Sequence, residues 1–411
     1  MSAQSPDTQS SRMIIIVLFA GALSVLLAMG LRNSLGLFLK PMTMDLGWGR
    51  ETFSLALAVQ NLLWGAFQPF ASAAADKWGP GRIIALGGIL YAGGLVIMAN
   101  SLTPGAFYIS AGLMLGMAQS ASALGIILGV VGRVMPPEKR SWGLGIVTAA
   151  GGVGQFSVVP LGQVLIGAYG WSLAFLYLAA FGFVIVCCAI MIGQSAKIAP
   201  VASTSVESAG NLKDAIREAA GHRGYLLLTT GFFVCGFHVA FIAVHLPAYL
   251  SDLGMPEETG ALALTLIGVF NVIGSYSAGV LGGKWRKKNL LSWLYISRAL
   301  VFIWFILTPV STTTVIVFAS LLGLLWLSTV PLTSGLVAQI FGTRYMGTLF
   351  AFVFFSHQIG SFLGVWLGGY LFDLYGTYMP IWWAGVALGF AAALLHWPIN
   401  DKTVVRIQPA Q

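Results

Sequence analysis

The chain has 411 residues, of which 57% are hydrophobic and only 8% are charged, whereas soluble domains carry about 25% charged residues. This composition excludes an ordinary soluble domain and predicts a protein that crosses the membrane several times. The formal net charge of +8 comes from basic residues dispersed over short loops, which argues against a nucleic-acid partner. The three cysteines have neither metal-site nor disulfide-framework spacing, so no metal or cofactor is expected.

Twelve mostly apolar stretches follow one another along the chain, and about 20 such residues are enough to span a bilayer as a helix. We number them span 1 to span 12, and they are predicted near residues 13–39, 51–75, 83–100, 105–131, 141–167, 171–193, 225–250, 258–282, 290–309, 312–339, 345–372 and 379–397. The first is too long for the core of a signal peptide and is expected to be retained as a membrane helix. The predicted fold class is therefore an all-α polytopic membrane protein.

The distribution of basic residues predicts the orientation of the spans, because cytoplasmic loops are enriched in Lys and Arg. With both termini in the cytoplasm, 17 of the 21 Lys and Arg residues lie in cytoplasmic segments, 2 lie outside and 2 lie within the membrane. The net charge is then +10 inside and −4 outside. The opposite orientation would place most basic residues outside, so we expect a multi-pass protein in the lipid bilayer with both termini cytoplasmic.

The two halves of the chain repeat each other. The segment LKPMTMDLGWGRET at 39–52 resembles HLPAYLSDLGMPEET at 245–259, and their shared Asp-Leu-Gly and Glu-Thr steps are offset by 207 residues. Because loop matches loop on the same side of the membrane, the repeat implies two parallel six-helix halves. We expect an N-terminal half at 1–193, a cytoplasmic linker at 194–224 and a C-terminal half at 225–411. The linker part NLKDAIREAAGH is predicted to form a short helix, either on the membrane surface or in solvent.

The loop between spans 2 and 3 carries a recognisable motif. It reads SAAADKWGPGR and resembles the loop signature of the major facilitator superfamily, G-x-x-x-D-[RK]-x-G-[RK]-[RK], at Asp76, Lys77, Gly79 and Arg82, with serine in place of the first glycine. The resemblance implies a twelve-helix transporter in which this loop gates. Asp76 would pair with a basic group or cap a helix N-terminus, hold the halves together on the cytoplasmic side and release as they rock apart. The alternative is a basic loop that only sets topology.

Three further segments narrow the resemblance within this superfamily. RNSLGLFLKPM in span 1, EKRSWGLGIVTAAGGVGQ entering span 5 and HLPAYLSDLG ending span 7 resemble the bacterial branch near the oxalate/formate and monocarboxylate transporters. The resemblance implies secondary active transport across a bacterial inner membrane, with spans 1 and 7 beside a central cavity and spans 3, 6, 9 and 12 at the periphery. A monomer is expected. Those relatives carry a substrate arginine in span 8, where this chain has no charge.

Two arginines lie inside predicted spans without an acidic residue at the same depth. Arg32 is in span 1 and Arg298 is in span 9, and none of the 13 acidic residues lies well inside a span. A central arginine costs about 2.5–3.5 kcal/mol to insert, and such residues usually face protein or a water-filled cavity. An unpaired guanidinium there binds a carboxylate through two parallel hydrogen bonds. The alternatives are snorkelling of Arg32 to the interface and hydrogen bonding of Arg298 to backbone carbonyls.

Histidines are the titratable groups left for proton coupling, since imidazole titrates near physiological pH. Counting back from the matched prolines of spans 1 and 7, at an offset of 206, pairs Arg32 with His238. The two are therefore predicted to face each other across the cavity. His245 lies on the same face of span 7 as His238, and His357 is in span 11. The alternative for each is a neutral ring hydrogen-bonded between helices.

Uncharged polar residues complete the predicted site. Many such residues in membranes only join helices, but those on spans 1, 2, 4, 5 and 8 lie on helices that the resemblance places around the cavity. The substrate-binding candidates are Arg32, Asn33, Asn61, Gln119, Gln155, His238, Asn271 and Arg298, and the proton-coupling candidates are His238, His245 and His357. Gln60 also lies at membrane depth but is not among these candidates.

These residues predict a secondary transporter that moves a small organic anion, a mono- or dicarboxylate, by alternating access. Proton symport and anion exchange are both open. The alternative on the same fold is an exporter of hydrophobic compounds or drugs, but no embedded acidic residue is present to attract cations. An enzyme is not expected, because no carboxylate, metal cluster or nucleophile–base pair is recognised at membrane depth.

Overall fold

The computed structural model describes residues 6–122, 124–136, 139–196, 212–342 and 345–404. These residues form helices joined by short turns, without a strand among them. Single helices form span 2 (Arg50–Trp78), span 3 (Pro80–Ala99), span 7 (Arg223–Asp252), span 8 (Glu257–Lys284), span 9 (Lys287–Leu307), span 11 (Met346–Tyr375) and span 12 (Met379–His396).

The other spans are interrupted. Span 1 consists of Pro6–Ser34, a 3₁₀ turn at Leu35–Phe38 and Leu39–Leu46; span 4 of Pro104–Phe107, a π-helical stretch at Tyr108–Met114, Leu115–Ser122 and Leu124–Val134; and span 10 of Thr312–Leu325 and Thr329–Phe341. Spans 5 and 6 form one stretch, Arg140–Ala196, which breaks at Gly170 with φ 76°. Glycine adopts this left-handed backbone without steric cost, and the break lies between the two predicted spans.

The twelve-helix all-α fold is confirmed. Ten helical stretches of the described chain are long and apolar enough to cross a membrane, and the one from Trp142 to Ser195 contains both span 5 and span 6. Span 2 is the remaining crossing. It is more polar than the others, because Gln60, Asn61 and Gln68 lie within it.

The two sets of six spans meet along three helix pairs: spans 1 and 7, spans 2 and 11, and spans 5 and 8. We name the ends of the bundle after the predicted orientation, with Asp76 at the inner end and Arg50 at the outer end. Span 1 lies especially close to span 7 at Gly36, where an added Cβ would overlap the carbonyl oxygen of Ala243. The glycine-rich span 11 approaches span 7 in the same way, since a Cβ on Gly360 would overlap the Phe233 carbonyl.

Ionic contacts close the outer end. Arg50 of span 2 pairs with Asp252 at the end of span 7 at 2.6 Å, and Lys40 of span 1 lies 3.3 Å from the same carboxylate. Asp373, at the end of span 11, accepts hydrogen bonds from the backbone N–H groups of Arg50 (2.9 Å) and Glu51 (2.7 Å). These carboxylates complement the positive N-terminus of span 2. The outer end therefore joins the two sets of spans tightly.

The two sets of spans also contact each other deeper in the bundle. Among pairs of described residues, the side-chain hydrogen bonds and ion pairs that link the two sets of spans lie at the outer end and at mid-bundle, where Gln155 donates to the Leu264 carbonyl at 3.0 Å. The predicted linker helix is present as Leu212–Gly221. Residues 197–211, the middle of the predicted linker, lie outside the described residues.

Candidate functional site

A small cavity lies between spans 1, 2 and 7. Its lining residues are Arg32, Leu35, Leu57, Gln60, Asn61, Ala240, Ala243 and Val244. Arg32 occupies the last turn of the helix Pro6–Ser34, directly before the 3₁₀ turn. Its side chain therefore borders a protein cavity and does not snorkel to the membrane interface.

The guanidinium of Arg32 is held by neutral groups of span 2. Its Nη2 donates to Asn61 Oδ1 at 2.7 Å, and its Cζ lies 5.1 Å from the centroid of the Trp64 ring, within cation–π range. Asn61 is oriented in turn by its Nδ2, which donates to the Leu57 carbonyl at 2.7 Å. Within the described chain, the acidic partners of ion pairs lie elsewhere. The positive charge of Arg32 is thus stabilised but not neutralised.

The cavity has a polar wall and an apolar wall. Span 2 contributes Gln60, which is 3% exposed and whose Nε2 has no partner among the described residues. Span 7 contributes only small apolar groups, Ala240, Ala243 and Val244. An occupant would therefore meet hydrogen-bond donors on one side and methyl groups on the other.

A second small cavity lies on the outer side of the contact between Gly36 and Ala243. It is lined by Gly36, Leu37, Lys40, Pro41, Gln163, Pro247, Ala248, Ser251 and Glu257. Lys40 donates to Ser251 Oγ at 2.8 Å there. Gly36 borders this space while Arg32, one helical turn earlier, borders the other. The two cavities are therefore separated at the close approach of spans 1 and 7.

His238 is not brought opposite Arg32, which corrects the prediction from the repeat. Its Nε2 lies 2.8 Å from the Gly385 carbonyl of span 12, and its ring lies 5.0 Å from that of Phe302 in span 9. At about 100° per residue, the two steps from His238 to the cavity-lining Ala240 rotate by about 200°. The two side chains therefore lie on nearly opposite faces of span 7. The count through the prolines crossed the 3₁₀ turn of span 1, where tighter winding adds about 80° of rotation over four residues.

Arg298 and Asn271 both bind the break in span 10. Arg298 is 1% exposed, and its Nε donates to the Leu325 carbonyl at 3.1 Å, while its Nη2 contacts the carbonyls of Leu325 and Trp326. Asn271 Oδ1 accepts the backbone N–H of Leu327 at 3.1 Å. Backbone groups freed at a break in a membrane helix need such partners. Of the two alternatives for Arg298, the structure shows hydrogen bonding to carbonyls, away from Arg32.

The remaining uncharged candidates are distributed over several helix contacts. Asn33 donates to the Met29 carbonyl of its own helix at 2.9 Å. Gln155 joins span 5 to span 8 through the Leu264 carbonyl. Gln119 is fully buried in span 4, and neither of its amide atoms has a partner among the described residues. Asn61 is therefore the uncharged candidate that the structure brings to Arg32.

The other two histidine candidates lie on opposite sides of the Arg32 region. His357 is 6% exposed, with Nδ1 3.1 Å from Gln358 Oε1. His245 is fully buried near the outer end, with Nδ1 3.0 Å from the Tyr378 hydroxyl and Nε2 2.8 Å from the Val365 carbonyl. Neither residue lines the Arg32 cavity.

The chain is similar to a known family of proteins. A sequence model described as Major Facilitator Superfamily matches residues 21–365. The chain belongs to the Major Facilitator Superfamily. It is therefore a membrane transporter and not an enzyme.

Named relatives of this superfamily member include both mammalian and bacterial proteins. Monocarboxylate transporter 13 of Rattus norvegicus is 28% identical over 343 residues, which cover 79% of this chain and 73% of the relative. The uncharacterized MFS-type transporter YcxA of Bacillus subtilis (strain 168) is 25% identical over 378 residues, covering 90% and 91%. The resemblance to monocarboxylate transporters predicted from the sequence is confirmed.

Solved structures show the same fold. A bacterial homolog to the human lysosomal transporter Spinster, in an inward-facing and unoccupied conformation, superposes with a TM-score of 0.75 at 15% sequence identity, covering 96% of this chain and 97% of that one. The same homolog in an inward-facing and occupied conformation gives a TM-score of 0.73 at 14% identity. At these identities the similarity establishes the architecture alone.

The superfamily loop motif makes a contact within the first six spans. Asp76 Oδ1 lies 3.0 Å from Arg133 Nη1 at the end of span 4, and both side chains are largely exposed. Gly79 has φ 93° and separates span 2 from span 3, while Lys77 lies 5.5 Å from the ring of Trp78. Arg82 is exposed. Asp76 thus pairs with a basic group as expected, but the partner is not in the other half.

Sequence reasoning missed part of the site of this transporter. Gln60 and Trp64 lie one helical turn apart on span 2, and the helical spacing of Gln60, Asn61 and Trp64 was the signal that could have found them. Ala240, Ala243 and Val244 carry no such signal, because alanine and valine are ordinary membrane-helix residues. Only the packing of span 7 against span 1 identifies them as a cavity wall.

Proposed function

We propose that this transporter carries a small organic anion and that Arg32 binds its carboxylate group. The observation that carries the proposal is a guanidinium in a mid-bundle cavity, held by the neutral Asn61 amide at 2.7 Å and without an acidic partner among the described residues. Burying a charge is costly unless it is paired, so an anion is the occupant that best stabilises this site. Relatives named monocarboxylate transporters support the same chemistry.

The walls of the cavity favour a monocarboxylate over a dicarboxylate. Arg32 is the one cation among the lining residues, and the opposite wall consists of Ala240, Ala243 and Val244. A second carboxylate would lose its water against these methyl groups without a hydrogen-bond donor. The apolar wall therefore favours a short aliphatic tail.

Transport is proposed to proceed by alternating access. The contacts of Arg50, Lys40 and Asp252 support a state in which the outer end is closed. Rocking the halves about the Arg32 cavity would break the outer contacts and expose the site to the other side. We infer that residues 1–193 and 225–411 are the moving halves and that 194–224 connects them.

The proposed setting is a bacterial inner membrane with both termini in the cytoplasm. The charge distribution of +10 inside and −4 outside supports this orientation. Coupling is proposed to be proton symport, with a histidine carrying the proton, and anion exchange is the competing scheme. An exporter of hydrophobic drugs is less well supported, because an uncompensated guanidinium repels the cationic compounds that such exporters commonly carry.

Uptake into proteoliposomes tests the proposal, with radiolabelled lactate as the monocarboxylate probe and succinate as the dicarboxylate probe. We expect lactate uptake by the native protein, with little uptake of succinate. Arg32→Ala should abolish lactate uptake. Arg32→Lys should raise KM by about tenfold or more, because lysine keeps the charge but cannot form two parallel hydrogen bonds to the carboxylate.

The matched control is Lys139→Ala, which removes an exposed positive charge between spans 4 and 5 and should leave uptake unchanged. Circular dichroism and size-exclusion profiles establish that the variants fold. Full lactate or other organic-acid transport by Arg32→Ala would overturn the arginine assignment. If the native protein transports a hydrophobic cation and none of a series of organic acids, the result would instead favour the exporter.

A further inference from the structure

A chain of hydrogen bonds connects the outer-end ion pair to a buried histidine. Asp252 accepts two hydrogen bonds from Arg50, at 2.6 and 2.8 Å. The same Arg50 Nη1 donates to the Tyr378 hydroxyl oxygen at 2.9 Å, and Tyr378 lies 3.0 Å from His245 Nδ1. Arg50 belongs to the first six spans and the other three residues to the last six. These hydrogen bonds between the two sets of spans therefore form only when the outer end is closed.

The partners of the His245 ring determine where its proton lies. Nε2 is 2.8 Å from the Val365 carbonyl, which can only accept, so Nε2 carries a hydrogen. In a neutral ring Nδ1 is then the acceptor, and the Tyr378 hydroxyl donates to it. The hydroxyl oxygen is left free to accept from Arg50, as observed. With a neutral imidazole, each group in the chain therefore has a suitable partner.

A second proton on the His245 ring conflicts with this arrangement. Nδ1 would then be a donor facing the Tyr378 hydroxyl, whose oxygen already accepts from Arg50, and the hydroxyl hydrogen would lose Nδ1 as its acceptor. The imidazolium would also stand one hydroxyl group away from a guanidinium. Like charges repel, and the Asp252 carboxylate bound to Arg50 offsets part of this repulsion. Protonation is therefore disfavoured while the outer end is closed.

Among the described residues, the acidic side chains near His245 do not contact its ring. Span 11 faces the ring with the Val365 carbonyl and with Gly368, whose hydrogen leaves room for the ring. Span 2 presents Arg50 and Ser54, whose Oγ is 3.5 Å from Nε2. The titratable and charged side chains nearby are Arg50, Tyr378 and Tyr249, with Asp252 beyond Arg50 and Asp373 at the end of span 11.

The other two histidine candidates lack such a connection. The polar contacts of His238 lie within the last six spans, at Gly385 of span 12. Those of His357 are with Gln358 and Ser361 of its own helix and with Cys235 of span 7, which is also among the last six spans. Protonation of either ring would not directly alter a contact between the halves. Among the three candidates, His245 is the one whose hydrogen-bond pattern depends on whether the outer end is closed.

We propose that His245 is the proton-binding site of this transporter and that protonation of its ring opens the outer end of the bundle. The inference rests on the proposed function, because it assigns the proton of the proposed symport to one residue. The neutral ring completes the closed contact between Arg50 and Tyr378. The proton binds when these residues separate, so acidic conditions favour the state that is open at the outer end.

Distance measurements on the empty protein test the proposal. Spin labels are placed at Met44→Cys and Leu253→Cys, exposed positions at the outer ends of spans 1 and 7, in a Cys187→Ser background that removes the exposed thiol. As the pH falls below about 6.5, the ordinary pKa of imidazole, the ratio of long to short distances should rise by up to about tenfold per pH unit. His245→Gln, which does not titrate, should abolish this response, whereas His357→Gln should retain it.

Tyr378→Phe provides a second variant that keeps the histidine and the aromatic packing. Removing the hydroxyl separates His245 from Arg50, so the pH response should flatten even though the ring still titrates. An unchanged pH response in His245→Gln, or in Tyr378→Phe where the first variant does not fold, would overturn the proposal. Because no anion is present, this result is independent of the uptake assay, and either proposal can fail alone.

Discussion

Asn61 positions the guanidinium of Arg32 across the interface of spans 1 and 2, with 2.7 Å between Oδ1 and Nη2. The amide is itself held in place, because its Nδ2 donates to the Leu57 carbonyl at 2.7 Å. The arginine is thus oriented by a residue that cannot neutralise it. This combination leaves the charge available to a ligand while restricting where it points.

Asn61→Ala should weaken anion binding without removing the charge. A hydrogen bond to a charged group contributes about 1.5–3 kcal/mol, so we expect KM for the transported acid to rise by about 10- to 100-fold. Asn33→Ala is the matched control, since its amide bonds only to its own helix at Met29, and its KM should stay within about twofold of native. Equal effects of the two substitutions, measured by initial uptake rates, would contradict a positioning role for Asn61.

Gln60→Glu should inhibit transport by supplying an internal anion. Gln60 lines the same cavity as Arg32, and a carboxylate there would compete with the substrate for the guanidinium. We expect a loss of more than about tenfold in apparent affinity at pH 7, since each 1.4 kcal/mol of competing interaction is worth a factor of about ten. Gln60→Leu removes a donor without adding charge and should have a smaller effect. Uptake measured side by side decides, and native kinetics for Gln60→Glu would argue against an anion site here.

Arg298→Met should reduce stability more than substrate affinity. Its guanidinium satisfies the carbonyls of Leu325 and Trp326 at the break in span 10, and each buried carbonyl left without a partner costs about 1–3 kcal/mol. We expect a clearly lower thermal unfolding midpoint with a nearly native KM in the protein that remains folded. Arg32→Met should show the reverse pattern. Loss of substrate binding in Arg298→Met at native stability would instead return this residue to the substrate site.

The ion pair between Asp401 and Arg286 at the inner end should make the stability of the protein depend on pH. Asp401 lies after span 12 and pairs with Arg286 at 2.6 Å, and this hydrogen-bonded guanidinium lowers the pKa of the Asp401 carboxyl. Because the pKa of Asp401 is lower in the folded state than the unfolded value of about 3.9, the ion pair stabilises the fold at pH values above 3.9. This stabilisation is lost as the pH falls through the folded-state pKa. Asp401→Asn should therefore lower the unfolding midpoint at pH 6, with the difference from native shrinking towards pH 3. A difference that is constant with pH would exclude this ion pair as its cause.

The topology was predictable because each membrane crossing is a local property. About 20 apolar residues are needed per crossing, and this requirement is visible in the chain without knowledge of neighbours. The break between spans 5 and 6 was visible for the same reason, since Gly170 adopts a positive φ that a local turn requires. Span 2 was still recognised although it is more polar than the other spans, because its polar residues are few and lie between apolar runs.

The partners of the polar residues were less predictable. Arg298 looked equivalent to Arg32 in the sequence, as an embedded arginine without an acid, but it binds carbonyls that become free only because span 10 breaks at Leu325. His238 was assigned to the cavity by a residue count that assumed uniform winding of span 1. The 3₁₀ turn at Leu35–Phe38 changes the rotation of the helix, and a small change in rotation moves a side chain to another neighbour.

Four features could be predicted from the amino-acid sequence: the number of spans, their expected orientation, the family, and an arginine that no embedded acid can balance. These follow from composition, charge distribution and motifs, which are independent of helix rotation. The packing of the helices was needed to learn that Arg32 borders a cavity with Asn61, that Arg298 does not, and that His245 connects to Arg50 through Tyr378. Each depends on which face of one helix meets another, and that is set by packing between residues far apart in the chain.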